Sequence, residues 1–211
     1  MIDALNSALR KVPAWPGYIL LLIPSALLWQ AALANRLGAD PVKALEHEHG
    51  EIALQILIAT LAITPLRRFL GLNLLKFRRM LGLMAFAYGV VHFGIYLWLD
   101  LQFLWGQIWG DLVKRPYIIV GWLALVAMLP LALTSNGSSI RRLGASAWNR
   151  LHRLVYLSAI FVVLHYLWLV KSWTAEPLTY AAVTLLLLAL RLVPRKSGFR
   201  RARIPKKVGE C

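Results

Sequence analysis

Apolar residues gather into six blocks along the chain, separated by short polar stretches. They run approximately Trp15–Ala34, Ile52–Pro65, Met80–Leu99, Tyr117–Leu133, Leu151–Val170 and Leu178–Val193. Most approach the length of about 20 residues that carries a helix across about 30 Å of hydrocarbon. The second block is the shortest, unless the helix continues backwards through Glu51 and His49. The third and fifth are the best formed, and Trp98 and Trp168 sit near one end of each as interfacial aromatics. Pro24 and Pro130 fall inside blocks, a position tolerated where neighbouring helices satisfy the freed backbone groups. The pattern predicts an all-α polytopic membrane protein. A six-transmembrane-helix bundle occupies residues 15–193, after an N-terminal segment 1–14 and before a basic tail 194–211.

Composition supports a bilayer rather than an aqueous core. Of the 211 residues, 59% are hydrophobic, and the net charge is +15. A charge of that size raises nucleic acid as a partner, but long apolar helices leave no exposed basic face for a groove, so no nucleic-acid role is expected. The cations instead follow the rule that Lys and Arg collect on the inner side. With the N-terminus inside, the inner segments hold Arg10 and Lys11, then Arg67, Arg68, Lys76, Arg78 and Arg79, then Arg141, Arg142, Arg150 and Arg153, and the run from Arg191 to Lys207. Only Arg36, Lys43, Lys114, Arg115 and Lys171 fall outside. Both termini are therefore expected in the cytoplasm, with the chain multi-pass in a bacterial inner membrane. Residues 18–34 lack a clear small-residue cleavage pattern and read as a retained first span. The one cysteine, Cys211, excludes an intramolecular disulfide.

Three histidines interrupt apolar blocks: His92, His152 and His165. An ionisable side chain at membrane depth is costly and marks a functional site by default. His152 and His165 lie 13 positions apart, roughly 20 Å along one helix. His92 lies 14 positions beyond Arg78, on a span running in the same direction, so His92 and His165 reach a similar depth towards the outer side. Two neutral imidazoles facing each other across a bundle form a bis-histidine haem site, suited to electron transfer. Gly89 and Gly94 offer room near His92 for a flat macrocycle. At the inner level His152 faces Arg78 instead. A guanidinium has no lone pair for iron, so Arg78 and Arg79 read either as partners for haem propionates or a flavin phosphate, or as topological charge. A second haem on His152 stays open. The run Glu46-His47-Glu48-His49 lacks zinc-protease spacing and a third clear ligand, and it reads as an outside loop or the start of span two.

These residues carry a family resemblance. The stretch Arg78-Arg79-Met80-Leu81-Gly82-Leu83, with Tyr88 and His92, resembles the MsrQ family, the haem-bearing membrane subunits of periplasmic methionine sulfoxide reductase systems. So do Thr64-Pro65-Leu66, Arg115-Pro116-Tyr117, Leu133-Thr134-Ser135, the run Trp148 to Tyr156, and Leu164-His165-Tyr166. The likeness covers about residues 15–195. It implies the ferric-reductase-like transmembrane fold, whose distant relatives carry two histidines on each of two helices. This chain departs from that pattern at Arg78, where the fourth histidine would stand. The resemblance further implies at least one haem b, bound FMN, a cytoplasmic flavin reductase as donor, and a periplasmic molybdopterin-containing methionine sulfoxide reductase catalytic subunit as acceptor. The chain would then be the electron-transfer subunit of that oxidoreductase rather than its catalytic subunit. Two other readings compete: a quinol-oxidising cytochrome b subunit, and a haem-free proton or transport protein.

Overall fold

In the computed structural model, residues 2–170 and 174–193 are described; Lys171 and the expected basic tail 194–211 lie outside them. Nine α-helices appear among the described residues: α1 Ile2–Lys11, α2 Trp15–Leu33, α3 Pro41–Phe69, α4 Arg78–Ile95, α5 Trp105–Lys114, α6 Pro116–Leu133, α7 Gly137–Leu151, α8 Leu154–Leu169 and α9 Ala175–Leu192. No strand is present among these residues. Five helices are long and apolar enough to cross a membrane: α2, α3, α4 with its flanking turns, α6 and α9. The sixth crossing arises only if α7 and α8 count as one broken span, bent by 41°.

Local chemistry sets the helix starts. Pro at the first turn costs no hydrogen bond, because its missing N–H would be orphaned there anyway; Pro16, Pro41 and Pro116 occupy such positions. Asp40 caps α3 by accepting from the Lys43 N–H at 3.0 Å, and Asn136 caps α7 by accepting from the Ser139 N–H at 2.8 Å. The second apolar block does extend backwards, far beyond Glu51, into a helix of 29 residues. At 1.5 Å per residue α3 is about 44 Å long, more than the hydrocarbon needs, and residues 46–51, expected as an outside loop or the start of span two, belong to this helix.

The fifth block needs correction. Leu151–Val170 is not one helix: the chain turns at His152 and Arg153, and only Leu154–Leu169 forms α8. Gly144, at φ 74°, breaks α7 before that turn. His152 therefore sits at the bend, outside the helix that bears His165, and a helical angle between the two has no meaning.

The bundle pairs α3 with α4 and α6 with α8; α4 meets α6, and α9 closes on α3 and α8. Leu57, Leu61, Ala85, Tyr88 and Ala159 form the centre of the core. By contrast α2 has no buried residue and turns Ile19, Leu20, Leu22 and Ile23 outward, as a lipid-facing outer helix should. It is fastened by polar contacts beside Pro24. The Tyr88 hydroxyl accepts from the Ser25 N–H at 3.1 Å and donates to the Leu21 carbonyl at 2.6 Å. This is the neighbour-supplied satisfaction that a proline inside a span requires.

Candidate functional site

His92 on α4 and His165 on α8 face each other with ring centres 6.3 Å apart and planes at 79°. Each ring is held from behind in the same way. Nδ1 of His92 lies 2.8 Å from the carbonyl of Glu46, and Nδ1 of His165 lies 2.7 Å from the carbonyl of Tyr117. A carbonyl only accepts, so each Nδ1 carries the proton and each neutral ring keeps its lone pair on Nε2. Orienting a metal-binding histidine through its second nitrogen is the usual arrangement at metal sites.

Two glycines make the close approach possible. A Cβ on Gly50 would stand 2.9 Å from Nδ1 of His92, and one on Gly121 would stand 2.8 Å from Nδ1 of His165. Each glycine follows its accepting carbonyl by four residues, one helical turn. The imidazoles thus rest against bare backbone of α3 and α6. The sequence pointed to Gly89 and Gly94 for this purpose. Gly89 does line the cavity, but Gly94 does not, and a Cβ there would meet nothing within 4 Å. The signal for Gly50 and Gly121 was present all the same: a glycine inside a helix costs about 1 kcal/mol against alanine and usually answers to packing.

The space around the pair suits a flat macrocycle. A partly open cavity is lined by both histidines and by Leu57, Ala85, Ala124 and Met128. With each Nδ1 committed to a carbonyl, both Nε2 lone pairs remain free and both rings line the one cavity, so the residues present fit an iron held between them.

The surroundings of His152 are built differently. His152 stacks on Trp148 at 3.7 Å between ring centres. Its Nε2 meets Thr134 Oγ1 at 3.1 Å, while that hydroxyl donates to the Pro130 carbonyl at 2.6 Å. The hydroxyl's one proton being so placed, Nε2 of His152 is the donor. Arg78 is half-buried and within electrostatic reach of His152 and of Arg191; Arg79 is exposed. Sequence reasoning counted Arg191 with the tail. It instead reaches inward, donating to the Tyr156 hydroxyl and the Leu61 carbonyl, each at 2.7 Å, with its buried Nε unpartnered among the described residues.

The remaining histidines diverge. His49 is fully buried: Nδ1 donates to the Leu45 carbonyl at 2.8 Å, and Nε2 meets Ser25 Oγ at 3.0 Å. His47 lines the cavity instead, edge-on to Tyr166.

Comparison with known proteins agrees with this architecture. Residues 49–165 match the family described as ferric reductase like transmembrane component, a stretch running from α3 to His165 on α8. A Xanthomonas campestris protein named protein-methionine-sulfoxide reductase heme-binding subunit MsrQ is 50% identical over 186 residues, covering 85% of each chain. Proteins of that name from Agrobacterium fabrum and Brucella anthropi are 48% and 43% identical, over 91% and 93% of this chain and 89% of theirs. This chain belongs to the MsrQ family. Its MsrQ membership and its ferric-reductase-like fold agree with the resemblance drawn from the motifs.

Proposed function

We propose that this chain is the haem-binding, electron-passing membrane subunit of a methionine sulfoxide reductase system, with one b-type haem held by His92 and His165. The carrying observation is the pair itself: two facing rings, each locked by a backbone carbonyl into the tautomer that leaves Nε2 free. A bound haem iron would supply one-electron chemistry. The chain's own residues hold the ligands rigid, keep the inner end of the cavity apolar, and exclude water there.

Direction follows from charge. With both termini in the cytoplasm of a bacterial inner membrane, the histidine pair lies towards the periplasm. A periplasmic molybdopterin-containing catalytic subunit is the acceptor, and a cytoplasmic flavin reductase is the donor. At the inner level Arg78 and Arg191, with Arg79 at the surface, supply cationic donors for the phosphate of FMN; the unpartnered Nε of Arg191 supports that reading. From the start of α8 beside His152 to His165 the helix advances about 16 Å along its axis, a distance that an inner relay, either flavin or second haem, would divide.

The test is a reduced-minus-oxidised spectrum with a pyridine haemochrome count on purified protein. His92→Ala and His165→Ala should each abolish the low-spin signal, whereas His152→Ala should keep it and slow reduction by the flavin reductase. Normal spectra in both of the first two variants would sink the assignment.

A further inference from the structure

The haem cavity is chemically lopsided. Its inner half is lined by Leu57, Ala85, Ala124 and Met128, whereas its outer half brings two cations, Lys43 from the first turn of α3 and Arg115 from the start of α6. Both also border a separate polar cleft immediately outside, shared with Asp100, Asp111 and Lys114. They therefore stand where the hydrocarbon-walled cavity gives way to polar surroundings.

Neither cation is used up by its neighbours. Lys43 Nζ meets Asp100 at 2.6 Å and Glu46 at 3.2 Å, which leaves one of its three N–H donors. Arg115 spends one Nη1 contact on Asp111 at 3.4 Å, out of five donors in all. A haem seated with one face towards each histidine would have one polar edge, bearing two carboxylates, and one apolar edge. Burying ionised carboxylates against Ala85 and Met128 would be prohibitive without partners. The only cations lining the cavity, among the described residues, are at its outer end.

We infer that Lys43 and Arg115 bind the two haem propionates, fixing the macrocycle with its carboxylate edge towards the outer polar cleft. This assignment rests on the haem seat between His92 and His165, and its test separates the two. Asp100 and Asp111 then act as carboxylates that hold each cation at the cavity rim, with Tyr96 supporting Asp111 through its hydroxyl at 3.4 Å.

The experiment titrates the full chain, produced in haem-deficient cells, with protohaem and with protohaem dimethyl ester, whose carboxylates are masked. Lys43→Gln and Arg115→Gln should each weaken protohaem binding about tenfold, the worth of one charge-assisted hydrogen bond. They should leave ester binding unchanged and preserve the low-spin spectrum, because neither histidine is touched. Lys43→Arg should restore most of the protohaem affinity. Asp100→Asn, which cuts the ion pair but keeps the cation, should bind protohaem at least as well as the parent. Equal losses for both haem forms, or no loss for either, would overturn the assignment while leaving the histidine seat intact. So would a loss in Asp100→Asn as large as in Lys43→Gln, which would make the ion pair a structural strut. Failure of the parent chain to bind either form would overturn the seat and the assignment together.

Discussion

The two glycines behind the histidines decide the site at the residue scale. In an open helical position, replacing glycine by alanine favours the helix by about 1 kcal/mol. At Gly50 and Gly121 the added methyl would stand under 3.0 Å from a ring nitrogen. The histidine must retreat or the two helices must part, and overpacking of that kind costs about 1–3 kcal/mol. Gly50→Ala and Gly121→Ala should therefore lower haem occupancy several-fold and broaden the low-spin spectrum. Gly94→Ala, in open space, should match the parent by the same pyridine haemochrome measurement. The histidine pair was legible in the sequence, because depth can be reckoned by counting residues from Arg78 and His152. The glycines were not assigned, because their meaning depends on which helix backs which histidine. Lys43 counted only as an outside charge, and Arg115 as an outside charge within the Arg115-Pro116-Tyr117 motif, until α3 and α6 brought them to one rim.

At the element scale, the helices with long apolar runs were legible and the short ones were not. Nothing in an apolar count reveals α5, whose ten residues alternate Trp105, Trp109 and Val113 on an exposed face with buried Ile108. The polar helix α7 escaped for the same reason. His152 was misplaced into a helix because the hydrophobic run restarts directly after it, while the Trp148 stack and the Thr134 contact that form the bend are tertiary. The attachment of α2 gives a separate prediction. Tyr88→Phe removes the hydroxyl that takes the Ser25 N–H and serves the Leu21 carbonyl. Leaving such groups unsatisfied costs about 1–3 kcal/mol. The variant should loosen α2, seen as faster labelling of a cysteine introduced at the core-facing position 21 in a Cys211→Ser background, with the haem spectrum unchanged. Equal labelling rates would mean that Ser25 and His49 alone secure the helix.

Across the whole molecule, charge and chemistry divide the bundle into two ends. Arg78, His152 and Arg191 gather at one, and Lys43, Arg115 and the histidine pair at the other. Because cations favour the inner side, a reporter fused after residue 205 should remain cytoplasmic, and reporters placed in 36–39 or 101–104 should be periplasmic. Opposite signals would reverse the direction of electron flow. The five long apolar spans and their order were available from the sequence, since the bilayer imposes length rules strong enough to read without an alignment; the sixth depends on counting the bent pair α7 and α8 as one crossing.

The carbonyls that lock the two rings belong to α3 and α6, while the rings themselves belong to α4 and α8. Consequently the adjacent helices α3 and α4 carry one half of the site, and the other half needs α6 and α8, which are separated in sequence by α7. During synthesis His92 finds its rest on Glu46 as soon as α3 and α4 dock, but its counterpart emerges 73 residues later in the chain. A ribosome-bound chain halted after Leu133 would present one prepared imidazole and an empty facing wall. On the proposed assignment, the two-histidine seat is complete only in the last third of translation, so haem supply would act on an assembled bundle rather than template the first four spans.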